Sequence, residues 1–149
     1  MSEGERSVCV YCASSASAPP AYREAAFRLG AVLADAGFTV VYGGSTLGSM
    51  GALADGVLSR GGRVVGVMPR FMAELEWAHD RLSELHLVED MRTRKHEMLS
   101  RSRAVVALPG GSGTLEELLE VISLKRLGVY LDPIVLVNTR GFFEPLLTL

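Results

Sequence analysis

Along the chain, short apolar runs alternate with longer stretches in which apolar residues return every three or four positions. The runs at 8–13, 38–42, 63–68, 104–108 and 134–137 predict strands, and a short one at 85–88 predicts a sixth. Residues 21–36, 50–59, 90–102 and 114–127 predict helices, and 141–149 opens another. The punctuation agrees, with Pro19 and Pro20 at the first helix start, Gly37 at its C-cap, Gly61 and Gly62 stopping the second, and Pro69 ending the third strand. Residues 14–20 and the mixed, polar stretch 70–84 are expected to be irregular. Strands that are apolar without alternation, each followed by a helix, predict a parallel sheet covered on both faces, a Rossmann-like three-layer α/β sandwich. The 149 residues show no repeat, low-complexity tract or linker, so a single domain over 1–149 is expected.

Two glycine clusters follow predicted strands and open predicted helices: YGGSTLGSMG, which begins at Tyr42, and LPGGSGTLEE, which begins at Leu108. In an open parallel sheet, ligands collect at the carboxyl ends of the strands. A strand–glycine–helix junction there lets backbone N–H groups approach an anion, and the helix dipole adds to the attraction. One such loop is as well explained by a tight turn; two in equivalent positions favour a phosphate. Neither is followed by Gly-Lys-Ser/Thr, and the first strand runs into CASSASAPP rather than a dinucleotide fingerprint. The phosphate therefore belongs to something other than a P-loop nucleotide or NAD.

On the helix over 114–127, Leu115, Leu118, Leu119 and Ile122 share one apolar face, expected to pack on the sheet, with Glu117, Val121 and Leu124 on the opposite side. A helix apolar on two sides is covered twice, and in so short a chain the second cover is expected to be a partner subunit. A homodimer with this helix at the interface follows. Glu116 and Glu117 have an ordinary reading as acidic residues in a first helical turn. Standing just past a phosphate loop, they are also placed to hold ribose hydroxyls or orient water. Arg94 and Lys95 lie on the helix over 90–102, flanked by Met91 and Met98; they read equally as a solvated basic face or as a fork and a point charge for a nucleotide.

Composition narrows the field: 48% of residues are hydrophobic, 21% are charged and the net charge is −2. That describes a compact soluble chain without the positive field that nucleic acid or an acidic membrane would need. No apolar run is long enough to span a bilayer and no secretory signal is seen, so the cytoplasm is the expected compartment. Cys9 and Cys12 have the C-x-x-C spacing but fall on a strand running into a loop, and are read as reduced thiols rather than a redox pair. His79, His86 and His96 lack ligand spacing, so neither a metal nor a cofactor is expected. Trp77 reads equally as a stacking ring for a purine or as packing against a partner subunit.

The string MRTRKHEM followed by P-G-G-x-G-T-x-x-E, together with VCVYCASS, VVYGG, GSMG and VVGVMP, resembles the Lonely Guy family, the cytokinin riboside 5′-monophosphate phosphoribohydrolases, many of them once mislabelled lysine decarboxylases. The resemblance runs over nearly the whole chain. It implies hydrolysis of the N-glycosidic bond of adenosine 5′-monophosphate, N6-substituted or not, with Arg94 and Glu117 catalytic. It further implies that Gly110, Gly111, Ser112, Gly113 and Thr114 cradle the phosphate, while Glu76, Lys95 and Glu116 contact nucleotide. Gly43 and Gly44 of the first glycine loop are taken as substrate-binding with them. The chain departs from the family at Arg92, where histidine is usual, and at Ser45, where a third glycine is usual and a side chain is expected to narrow the site. A further C-terminal helix is usual in the family beyond the point that Leu149 represents. The competing readings are a non-catalytic nucleotide- or cofactor-binding module and a DNA-handling protein of similar fold; a pyridoxal-phosphate decarboxylase is the weakest, for want of a suitably placed lysine.

Overall fold

The computed structural model describes residues 6–75 and 78–149. Six parallel strands form one sheet: β1 (Ser7–Tyr11), β2 (Thr39–Tyr42), β3 (Val64–Pro69), β4 (Glu84–Val88), β5 (Val105–Ala107) and β6 (Ile134–Leu136). Their order across the sheet is β4-β3-β2-β1-β5-β6. The chain moves outward from β1 to one edge, then crosses back to lay β5 against the other side of β1, Cys9 opposite Val105 and Tyr11 opposite Ala107. The order therefore reverses between β1 and β5. In such sheets a crevice opens at that point, beyond the strands' carboxyl ends.

Period-two alternation builds a core on each face. Val8, Val10, Val40, Tyr42, Val64 and Val106 face α1 (Pro20–Asp35) and α2 (Gly48–Ser59), packing with Ala26, Leu53, Ala54 and Val57. Cys9, Tyr11, Val41, Val65, Val67 and Val105 face the other way, meeting Met98 of α4 (Met91–Ser100) and Leu118 and Val121 of α5 (Ser112–Arg126). The expected Rossmann-like three-layer α/β sandwich is what forms. α1 and α2 approach through reciprocal glycines. A Cβ on Gly30 would stand 2.3 Å from the Leu53 carbonyl oxygen, and one on Gly56 would stand 2.1 Å from that of Phe27.

Three expectations are corrected. Residues 70–84 are not wholly irregular: α3 (Arg70–Leu75) follows β3 directly, and because none of its residues is buried it leaves no periodic apolar signal. The segment 141–149 is not one helix. A 3-10 turn at Thr139–Gly141, broken by a positive φ of 55° at Arg140, precedes the short α6 (Glu144–Leu147). The inward face of α5 is also different: Thr114, Glu117, Leu118 and Val121 are buried at i, i+3, i+4, i+7, whereas Leu119 and Ile122 are exposed. Polar residues occupy the cleft end of that face, so counting leucines picks the wrong side.

Candidate functional site

At the reversal point lies a cleft of about 290 Å³, lined by Cys12, Ala13, Ser14 and Ser15 after β1, Met50 of α2, Met72 of α3, Met91 and Arg94 of α4, and Gly111, Ser112, Gly113, Thr114 and Glu117 of α5. The loop after β1 is seated on the first glycine loop: the Met50 N–H donates to the Ala13 carbonyl at 3.0 Å. Gly48, at φ +56°, lies so close that a Cβ would stand 2.5 Å from the Ser15 oxygen. The first glycine loop thus supports a wall of the cleft. Gly43 and Gly44 lie behind that wall, outside the cleft lining, and their carbonyls accept from Arg94 and from the His79 N–H. Ser45 does not narrow the site. It is fully buried, and its hydroxyl accepts from the Leu47 N–H at 3.0 Å, closing the loop on itself.

The second glycine loop opens on the cleft. Gly111 is the N-cap of α5 with extended backbone and no side-chain cap. The first amides of a helix have no partner within it, so Ser112, Gly113 and Thr114 present N–H groups at the positive end of α5's dipole. A Cβ on Gly111 or Gly113 would meet nothing within 4 Å, which leaves room for a ligand against the backbone. Gly110 is different: a Cβ there would lie 2.2 Å from the Thr114 hydroxyl, so glycine is needed for the loop to fold back on its own helix. The helix also starts earlier than expected, at Ser112, which brings Ser112 and Gly113 into its first turn.

Two charged side chains reach the cleft from buried positions. Arg94 is 3% exposed. Its Nε donates to the Val67 carbonyl at 2.9 Å and its Nη2 to that of Gly43 at 2.6 Å, so backbone from two strand ends fixes the guanidinium. Its Nη1 faces the sulfurs of Met72 and Met91, each at 3.8 Å. Glu117 is 9% exposed. Burial pushes its carboxyl up from 4.5 to about 7, against the pull of the nearby Arg94 charge. A carboxyl that titrates near neutrality can take up or release a proton at working pH. Beneath it, burial foremost and then the charge of Glu117 push up the thiols of Cys9 and Cys12, both free, which remain neutral.

Lys95 and Glu116 stand outside the cleft lining. The Lys95 ammonium bonds the Glu116 carboxylate and, at 2.5 Å, that of Glu120, bridging α4 and α5. Glu76 and Trp77 lie outside the described residues. His79 is structural: the Arg81 N–H donates to its Nδ1 at 3.1 Å, leaving Nε2 to donate to Asp55 at 2.8 Å. Among the described residues no group of three or more His, Cys, Asp or Glu is placed to hold a metal ion, and no helix is long and apolar enough to cross a membrane. Sequence reasoning missed the apolar half of the cleft. Met50 and Met72 join Met91 only because three separate helices converge there. Met98, paired with Met91 by helical spacing, belongs instead to the core.

Residues 50–149 match the model of a family described as possible lysine decarboxylase. A cytokinin riboside 5′-monophosphate phosphoribohydrolase of Arabidopsis thaliana is 43% identical over 95% of this chain and 65% of its own length. Another, of Oryza sativa subsp. japonica, is 41% identical over 96% of this chain and 59% of its own. The chain thus spans less than two thirds of these relatives. Among solved structures, the molybdenum cofactor carrier protein of Chlamydomonas reinhardtii superposes with a TM-score of 0.76 at 22% identity, covering 97% of this chain and 83% of that one. The molybdenum cofactor binding protein of Rippkaea orientalis gives 0.73 at 21%, covering 95% and 84%. These two share the fold.

Proposed function

The chain belongs to the possible lysine decarboxylase family, the Lonely Guy family of the sequence resemblance, and from that premise we propose that it is a phosphoribohydrolase. The substrate is an adenosine 5′-monophosphate, N6-substituted in the cytokinin type, and the products are the free base and ribose 5-phosphate. Glu117 carries this reading: a buried carboxyl titrating near 7 at one wall of a cleft whose floor is the amide-rich start of α5. The phosphate sits on the amides of Ser112, Gly113 and Thr114. Water attacks the anomeric carbon and gives its proton to the Glu117 carboxylate, while the carbon–nitrogen bond breaks, its electron pair leaving with the base, which then takes up a proton. Arg94, held by two carbonyls, meets negative charge on the departing base or the phosphate without having to reorganise.

The family's descriptive name would require pyridoxal phosphate carried on a lysine. This chain's residues do not fit that group. Its two lysines are Lys95, committed to Glu116 and Glu120, and Lys125, which donates to the Asp132 carbonyl near the far end of α5; neither lines the cleft. The exposed Leu119 and Ile122, with the exposed Leu127, Val129 and Leu131 after the helix, support the further reading that α5 joins two copies in a homodimer. We read that homodimer as cytoplasmic.

Purified protein is incubated with AMP and with N6-isopentenyl-AMP, and free base is followed by chromatography. Release from either nucleotide, and at least about a hundredfold slower release from the matching nucleoside, is the expected result. Binding without release would favour a non-catalytic nucleotide module instead.

A further inference from the structure

Arg94 and Glu117 stand on different helices, and each has a charged neighbour facing the other way. On α4 the next residue after Arg94 is Lys95; on α5 the residue before Glu117 is Glu116, with Glu120 one turn on. Successive helical positions differ by about 100°, so a register that turns Arg94 and Glu117 inward turns Lys95 and Glu116 toward the groove between the helices. There the Lys95 side chain is 17% exposed, and its ammonium bonds both Glu116 and Glu120. Resting on the catalytic reading of the cleft, we propose that Lys95 is a positioning residue rather than a nucleotide ligand: it clamps α4 to α5 and so sets the separation of Arg94 and Glu117 and the charge around Glu117.

Charge as well as geometry supports the clamp. Glu117 feels the charges of Arg94 and Lys95 from α4 and of Glu116 and Glu120 from its own helix, and lies near the neutral Cys9 and Tyr11 of β1 and Cys12 just after it. Glu116 and Glu120 are a like-charged i, i+4 pair that would repel each other and disfavour ionisation of Glu117. One ammonium placed between them offsets part of both effects. Removing it leaves two uncompensated carboxylates beside the carboxyl that must ionise, and frees the two helices to drift. Reacting groups displaced by even an ångström lose much of their rate.

The test is Lys95→Met beside Lys95→Arg, with steady-state kinetics over a pH series. In parallel, the Glu117 carboxyl is titrated by carbon-13 NMR in the protein without substrate. For Lys95→Met the expected results are a fall in kcat of about tenfold, KM within about twofold of wild type, and an upward shift of the Glu117 midpoint by about half a unit. Lys95→Arg restores most of the rate. Adding Glu116→Gln and Glu120→Gln to Lys95→Met returns the midpoint toward that of wild type. A tenfold rise in KM at unchanged kcat would make Lys95 a nucleotide contact and overturn the proposal, as would a Glu117 midpoint indifferent to Lys95. If wild-type protein turned over no nucleotide, the catalytic reading would fail, while the NMR titration would still decide whether Lys95 governs Glu117.

Discussion

In the proposed reaction Glu117 couples the stability of this molecule to its chemistry. In the unfolded chain its carboxyl ionises near 4.5, and in the fold near 7. Between those values the native state holds the extra proton, so its contribution to stability is fully present below about pH 4.5 and is lost as pH rises through about 7. The difference corresponds to about 3 kcal/mol. Glu117→Gln keeps the shape without the ionisation. It should therefore unfold at higher denaturant than wild type near about pH 8 and show little advantage near about pH 4. Its catalytic effect is opposite: loss of the proton acceptor should lower kcat by about 10²–10⁴. For the wild type, kcat/KM should rise with pH through about 7 and then level, because the ionised form accepts water's proton. Arg94 is equally committed. Arg94→Met leaves the Val67 and Gly43 carbonyls without its bonds, at about 1–3 kcal/mol for each buried group, and should reduce turnover as well.

At the level of elements, the helices that flank the cleft share a design. The buried side of α4 runs from Arg94 to Met98, and that of α5 from Thr114 and Glu117 to Leu118 and Val121: charged or polar at the cleft, apolar over the sheet. This is also why the chain was only partly legible. The strands, the two glycine junctions and the presence of α1, α2, α4 and α5 followed from periodicity and breakers; burial on both faces leaves plain apolar runs in β1, β2, β3 and β5, while β4 and β6 at the sheet edges are half exposed. The orientation of α5 did not follow, because its inward face begins with residues that a polarity count assigns to solvent. The part played by the first glycine loop was hidden for a similar reason, since a sequence cannot distinguish a glycine that admits a ligand from one that admits a neighbouring loop. The α1–α2 contact belongs to this scale. Gly30→Ala places a methyl against the Leu53 carbonyl and should lower unfolding free energy by about 1–3 kcal/mol in denaturant titration. Turnover per folded molecule should be unchanged, because that contact lies away from the cleft.

Across the whole molecule, topology decides where chemistry can occur. Because β5 returns to lie against β1, the loop after β1 and the start of α5 face each other across one crevice, and residues far apart in sequence, from Cys12 to Glu117, come to line it. Leu119 and Ile122 stay exposed on α5 among charged residues, and Leu127, Val129 and Leu131 just after the helix are exposed as well. Light scattering coupled to size exclusion should accordingly find a dimer, and Leu119→Glu with Ile122→Glu should shift it to monomer; a wild-type monomer at micromolar concentration would contradict that assignment. The catalytic account is tested most directly by comparing wild type and Glu117→Gln on N6-isopentenyl-AMP, with nucleotide affinity measured by calorimetry alongside turnover. The account predicts that the variant binds the nucleotide within a few-fold of wild type yet releases free base at least about a hundredfold more slowly. Equal rates of release from the two folded proteins would contradict it.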